Sequence, residues 1–448
     1  MTDSLLYSKV YFVELTLFMT EYASAKTWTL KECLDYAAQN NISLKKASIT
    51  RLSAHEDMLE SKSALLPSLD ASTSQSLILR PFPEEGGATV ANGYVQSSVD
   101  KLYYNGSYGI NLNWTVWDGK RTRNQIRLNN LSEQQAVADS ATMANSIHEQ
   151  ITMLYYQILY SKEAVEVTRQ TLEASKVNEN RGKVMVEVGK MSRADLAQLT
   201  AQRAQDEYNV VAAESNVRNF KRQLKELLEI TDNEPFDIEA AGSLDGDALA
   251  EIPSMLSVYN SALSTRPEIR AQKIAIESGD VSLEIAKAQK MPTIGLVSSL
   301  STNTTTMSND GWGSQLKTNM SMAAGFTVSI PLLDNRKTKT AVNKAVLSRM
   351  SNELELKNLE TQLSSNIENY WIQAVDCQSK YKAAKVNTQS QQESYDLLSE
   401  QFSLGLKNIV ELMTGKNNLL SAKQNELESK YMAILNILML KFYANGKM

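Results

Sequence analysis

Two stretches of about 70 residues, 118–187 and 334–403, read as single helices and constrain this 448-residue chain more than any other feature. At about 1.5 Å per residue each would span roughly 100 Å, too long for a compact domain. The 18 Gly and 8 Pro are few for the length, which favours long uninterrupted elements over many turns. Val137, Ala144, Ile151, Ile158, Val165 and Leu172 recur every seven residues, the period of a coiled-coil seam. Gln, Asn, Ser, Glu and Lys fill the rest of each face, which places water on one side.

The long helices belong to a duplicated pattern. WTVWDGKR (114–121) aligns with IPLLDNRK (330–337), setting Asp118 on Asp334 and Lys120-Arg121 on Arg336-Lys337. At the identical offset VGKMSRADL (188–196) aligns with LGLKNIVEL (404–412), Gly189 on Gly405 and Asp195 on Glu411. Upstream, Pro67 of LLPSLDAS matches Pro292 of KMPTIGLV at a slightly larger offset, because the loop between the strands is shorter in the second copy. The first repeat covers 26–253, with strands near 68–80 and 105–117 and helices at 118–187 and 192–230. The second covers 254–448, with strands near 293–304 and 320–332 and helices at 334–403 and 408–445. Helical leaders at 29–66 and 254–291 break near Asn40-Asn41 and Pro267. An acidic, Gly/Pro-punctuated segment, 231–254, joins the copies and holds one short strand at 236–239.

The strands alternate. In 108–117 Tyr108, Ile110, Leu112, Trp114 and Val116 share one parity, and Gly109, Asn111, Asn113 and Thr115 the other. Such a strand normally lays its apolar face on a core. Here no neighbouring helix offers a broad apolar stripe, so a membrane β-barrel is expected, apolar face to lipid and polar face to a wet lumen. Backbone in lipid must be fully paired, so the barrel must close. Four strands per chain cannot close one; three copies supply twelve. Each strand is long enough to cross a bilayer, about 9–11 residues. Tyr103, Tyr104 and Tyr108 at one end, and Trp114 and Trp117 at the other, suit membrane interfaces or a core. The two Trp fall on opposite parities beside a basic cluster. Asp118 and Asp334 read as helix N-caps, followed by Lys120, Arg121 and Arg123 and by Arg336, Lys337 and Lys339. The helix dipole disfavours cations there. An anionic lipid surface accounts for them, as does a solvated charged turn.

Several classes of function are excluded. A net charge of −5 gives no electrostatic reason to bind nucleic acid. Cys33 and Cys377 cannot make a disulfide framework. His55 and His148 lie far apart with no metal-ligand spacing, and no P-loop, GxSxG or CxxC is present. No enzyme, metal or cofactor is expected. No run of about 18 apolar residues predicts a transmembrane helix. The apolar stretch 10–19 followed by Ala23-Ser24-Ala25 reads as a signal peptide over 1–25, cleaved before Lys26. No Cys follows the site to carry a lipid anchor.

The twofold repeat, the junctions WDGKR and LLDNRK, and the turns VGKMSRADL and LGLKNIVEL resemble the TolC family of outer-membrane efflux channels. The resemblance covers about 28–444. It implies a mainly α chain with a membrane β-barrel portion: a homotrimer with a twelve-stranded barrel in the outer membrane and a coiled-coil α-helical tube through the periplasm. It further implies an inner-membrane pump and a periplasmic adaptor as partners, in tripartite efflux or type I secretion. In the family the two turns form the periplasmic mouth. Asp195 then stands at a linking aspartate, Lys407 at a basic linker and Glu411 at a lumen-facing carboxylate. Val188, Gly189, Leu404, Gly405 and Leu406 stand at adaptor-docking turns, and Trp114, Trp117, Lys120 and Arg121 at the membrane interface. Three positions depart from the pattern. Thr414 replaces a second ring carboxylate, Phe402 a gating aromatic hydroxyl, and Lys190 a docking Leu. Read without the family, Asp195 and Glu411 complete S-x-x-D and N-x-x-E caps. The rival class is a trimeric coiled-coil structural or adhesive surface protein without a conducting channel.

Overall fold

The computed structural model describes residues 26–82, 89–91, 94–96, 101–232, 235–239 and 244–446. The expected signal peptide and its cleavage site lie outside these. In chain order the elements are β1 (Lys26–Trp28), α1 (Leu30–Asn40), α2 (Ile42–Ser63), β2 (Ser68–Leu79), β3 (Thr89–Ala91), β4 (Tyr94–Gln96), β5 (Leu102–Trp117), α3 (Arg121–Glu187) and α4 (Arg193–Leu227). There follow β6 (Phe236–Ile238), α5 (Leu244–Ala248), α6 (Met255–Thr265), α7 (Pro267–Ala288), β7 (Thr293–Thr305), α8 (Trp312–Thr318), β8 (Ser321–Ser329), α9 (Lys337–Ser403) and α10 (Ile409–Asn445). The long helices α3 and α9 are 67 residues each. None of the described helices is long and apolar enough to cross a membrane.

Two compact units emerge, and neither is a sequence half. One takes residues up to Ile49, Ala138–Arg270 and those from Asn358; the other takes Thr50–Val137 and Ala271–Lys357.

The first unit is helical. Ile151, Tyr155 and Ile158 of α3 are buried against Cys33, Leu224, Leu228 and Ile238. Along the expected seam Val165 and Leu172 are buried too, but Val137, in the other unit, is 44% exposed, so one chain does not cover the whole seam. Strand β1 pairs in parallel with β6. Three residues make a weak strand, and this pair is held by the Tyr155 hydroxyl, which bonds the carbonyls of Trp28 and Glu239. The break between α1 and α2 has a physical cause in Asn41. Its side-chain oxygen accepts from the N–H groups of Ser43 and Leu44, capping α2, and its amide donates to the Leu227 carbonyl at 2.9 Å. The α6–α7 break falls at Arg266-Pro267, because proline disfavours helical backbone in the residue before it. Arg266 is buried there, on Glu149 at 2.9 Å and over the Tyr443 ring at 3.8 Å.

The second unit carries a four-stranded antiparallel sheet in the order β2-β5-β7-β8. Among the described residues four shorter strands, β1, β3, β4 and β6, lie outside it, more than the single one expected. Strand β8 ends at Ser329, short of the expected 332, since Pro331 has no N–H to donate. Helix α8 fills part of the β7–β8 connection, pinned by the buried Gln315 amide, which both donates to and accepts from the Thr305 backbone. On the helical side, Leu131 of α3 packs on Ile274 and Val281 of α7.

Candidate functional site

Register decides what each face of the sheet presents. Across the strands Leu69 pairs with Leu112, Ile110 with Leu300, Trp114 with Leu296, and Leu296 with Phe326. One residue along, Asp70 pairs with Asn111, Ser72 with Gly109, Asn111 with Ser299, and Ser299 with Ala323. Directly opposed residues share a face. One face therefore carries most of the large apolar side chains of the four strands, interrupted by Thr73, Gln75, Ser298, Thr302 and Thr304, and the other is mainly Asn, Ser, Thr and Gly, with Ile78, Tyr103 and Val297 among them. Asn111 donates to Asp70 at 3.0 Å across the polar face.

Trp114 and Trp117 do not lie on opposite faces, contrary to the count by parity. A register shift between Thr115 and Trp117 pairs Trp117 with Ile294, two residues before Leu296 and on its face. The bulge adds one residue and returns Trp117 to the apolar side. Trp114 donates its indole N–H to the Leu65 carbonyl at 2.9 Å. At the other end of the apolar face Tyr108 meets Trp312 edge to face, 6.1 Å between centroids.

The strand-to-helix junctions repeat one device. Gly119 and Lys120 both take left-handed backbone, as do Asn335 and Arg336. Asp118 then accepts from Thr122 N–H at 2.8 Å, and Asp334 from Thr338 N–H at 2.9 Å. Both aspartates do cap, but from four residues upstream, because two left-handed residues intervene. The Thr338 hydroxyl and N–H hold the Asp334 carboxyl below the usual range. Gly119 cannot be replaced: a Cβ there would lie 2.5 Å from Met291 Cβ. Lys120 and Arg121 are exposed, and Arg121 lies 3.8 Å from Asp118.

The two tip turns, between α3 and α4 and between α9 and α10, also share a backbone. Gly189 and Gly405 take φ of +73° and +75°. Gly189 N–H donates to Val186 and Lys190 N–H to Met185; Gly405 N–H donates to Phe402 and Leu406 N–H to Gln401. This is the Schellman helix end. Val188, Leu404 and Leu406 are exposed, Leu404 at 68% and Leu406 at 71%. Ser192 caps α4 by accepting from Asp195 N–H at 3.1 Å, and its hydroxyl donates to the Asp195 carboxylate at 2.8 Å. Asn408 and Glu411 form a full capping box on α10. Lys407 donates to Glu411 at 2.6 Å, and this bond together with the Asn408 N–H lowers the Glu411 pKa. Within one chain, then, Lys407 binds Glu411 and Asp195 binds Ser192. Phe402 is buried among Leu199, Tyr395, Ile409 and Leu412, in the tip's apolar core.

Just inside the tip lies a polar cluster that the motifs do not announce. Lys416 of α10 bonds Asp206 of α4 at 2.5 Å and Ser175 of α3 at 2.9 Å, and Ser175 also donates to Asp206. Lys416 is 4% exposed and Asp206 2%. Burial pushes the Lys416 pKa down, against the pull of Asp206. Nearby, Glu179 takes Arg203 at 3.0 Å and Lys183 at 3.2 Å. Burial pushes Glu179 up, but the bonds from Lys183, Thr200 and Arg203 outweigh it and hold the carboxyl low.

Among the described residues no His, Cys, Asp and Glu group could hold a metal. His55 meets Glu133 at 2.7 Å, and His148 is half-buried, its pKa lowered by burial. Cys33 is buried, and that burial raises its thiol to about 12.

The model of the outer membrane efflux protein family matches residues 33–228 and 258–445. The chain belongs to that family. Among curated relatives, the outer membrane efflux protein BepC of Brucella suis is 22% identical over 403 residues, 89% of this chain and 81% of its own. The outer membrane protein TolC of Salmonella enteritidis is 22% identical, covering 92% of this chain and 81% of its own. Among solved structures, the CmeC outer membrane channel of Campylobacter jejuni superposes with a TM-score of 0.77 at 19% identity, over 93% of this chain and 85% of its own. This outer membrane efflux protein is thus a protein of the outer membrane with the fold of that channel.

Proposed function

We propose that three copies of this chain close their sheets edge to edge into a twelve-stranded barrel, while α3, α4, α9 and α10 of each copy form a periplasmic tube. The assembly is a passive channel that takes substrates from an inner-membrane pump through a periplasmic adaptor. One observation carries this reading: the sheet is mainly apolar on one face and mainly polar on the other and, among the described residues, pairs β2 and β8 on one side only. An open edge in lipid leaves backbone groups unsatisfied at several kcal/mol each, so each edge needs a partner. A rod without a bore has no use for the polar face.

At the mouth, Asp195, Lys407 and Glu411 help hold the tube shut, and Val188, Gly189, Leu404, Gly405 and Leu406 dock the adaptor. The exposure of Val188, Gly189, Leu404, Gly405 and Leu406 on the two tip turns, with Asp195, Lys407 and Glu411 half-buried beside them, supports these roles. Lys407 would exchange Glu411 for Asp195 of a neighbouring helix pair.

The barrel is tested by cysteine pairs in a Cys33→Ala/Cys377→Ala background. Ser72→Cys on β2 is combined in turn with Ala323→Cys, Gly325→Cys or Thr327→Cys on β8, all on the polar face. At least one pair should oxidise to a trimer in outer-membrane fractions. A chain that never cross-links and stays monomeric in detergent would refute the reading.

A further inference from the structure

We propose that the junctions between the sheet and the long helices bind anionic phospholipid, in the leaflet nearest the helices; this rests on the barrel reading above. The four main strands together carry a single charged side chain, Asp70, and it belongs to the polar face. Where the strands end, the chemistry changes within three residues. Lys120, Arg121 and Arg123 follow Trp117; Arg336, Lys337 and Lys339 follow Leu332-Leu333. All six cations are exposed. Among the described residues only Arg121 of the six makes an ion pair, with Asp118 at 3.8 Å.

The carboxylates of Asp118 and Asp334, held by Thr122 and Thr338, offset two of these six charges and leave the junctions with an excess of cations. The two junctions are not separate patches. Arg121 and Lys337 line one cleft of about 340 Å³, together with Asp118, Asp334, Met291 and Pro331. Lys62 and Lys290, also exposed, add charge where the chain enters β2 and β7. Directly beside the cations stand large apolar side chains with nothing over them. Leu332 is 92% exposed and Leu333 88%, and Trp117 joins them at 41%. An apolar band rimmed by an excess of cations is complementary to acyl chains ending in anionic headgroups. A neutral lipid would cover the leucines and leave the cations uncompensated.

The test uses the full chain with Trp312→Phe, reconstituted in bilayers of brominated lipid. Trp114 and Trp117 then report on acyl chains at this rim, and Trp28 and Trp371 in the other unit give the unquenched baseline. Titrating dibrominated phosphatidylglycerol against dibrominated phosphatidylcholine should give a preference for the anionic lipid of roughly five-fold or more, since each cation near a charged surface contributes about that factor. The preference should fall as salt is raised. It should vanish when all six cations become Gln, and survive when each Lys and Arg is exchanged for the other. If the substituted chain fails to fold, the salt titration of the parent decides. Equal quenching by both lipids at low salt would overturn the proposal and leave the barrel standing. No quenching by either would bring down both.

Discussion

Two lysine–carboxylate pairs lie nine residues apart at the tip end of α10, with nearly equal bond lengths and opposite surroundings. Lys416–Asp206 is buried at 2.5 Å among three helices, and Lys407–Glu411 is half-exposed at 2.6 Å on one turn. The first bridges residues 210 apart in the chain, the second residues four apart. A buried pair has little favourable energy to give, because desolvating two charges offsets their attraction. What it does is penalise any packing that separates the partners. The half-exposed pair is partly screened by water and can change partners more readily. The inner tip is therefore fixed in register, and the rim is free to rearrange. A polar residue in a coiled-coil seam is the usual means of fixing register.

The largest effect should follow from removing one buried partner. Asp206→Asn or Lys416→Met leaves a buried charge without its partner and should cost about 3–5 kcal/mol. Melting followed by circular dichroism in detergent would show a large drop. The double variant Asp206→Leu/Lys416→Met should recover most of it, as the apolar seam closes. A single substitution that melts like the parent would erase the contrast between the two pairs.

At the rim, backbone should matter more than charge for stability. Gly405→Ala forces φ of +75° on an L-residue with no atom within 4 Å to clash. The expected cost is about 1–2 kcal/mol of strain alone, measured by the same melt. Lys407→Ala should leave the melt unchanged. The charges should appear instead in conductance. Asp195→Ala combined with Lys407→Ala should raise single-channel conductance in planar bilayers if those groups help close the mouth. An unaltered conductance would confine them to helix capping.

Local pattern made much of this legible. The strand faces follow from period-two alternation, which needs no knowledge of partners, and the helix breaks sit on Asn41 and the residue before Pro267. The i,i+4 spacing of Lys407 and Glu411 also carries their pairing in the sequence. Long-range contacts were not legible. Strands β1 and β6 are three residues each, and their pairing is braced by Tyr155 and Lys162 from a helix distant in sequence. Trp117 changes face through a bulge that alternation cannot show. Lys416 reads as an ordinary surface lysine until its spacing is counted: Ile409, Leu412, Lys416 and Leu419 step by three, four and three along a buried seam. Glu179 likewise falls seven residues after Leu172. The signal was a charge at a seam position, and its partner could be found only in three dimensions.

The smallest effect expected is on pH, and its sign follows from Glu411. Lys407 and the Asn408 N–H hold this carboxyl below its ordinary value of 4.5. A group with a depressed folded pKa stabilises the fold fully above its unfolded value and loses that contribution as pH falls through the folded one. The Lys407–Glu411 bond is thus intact from neutral pH down to about pH 5, and releases Lys407 only in stronger acid. Conductance of the reconstituted channel should stay flat from pH 7 to pH 5 and change below 4.5. In Glu411→Gln the step below 4.5 should disappear. A step near pH 6 in the parent would assign the titration to another group and take Glu411 out of the rim's control.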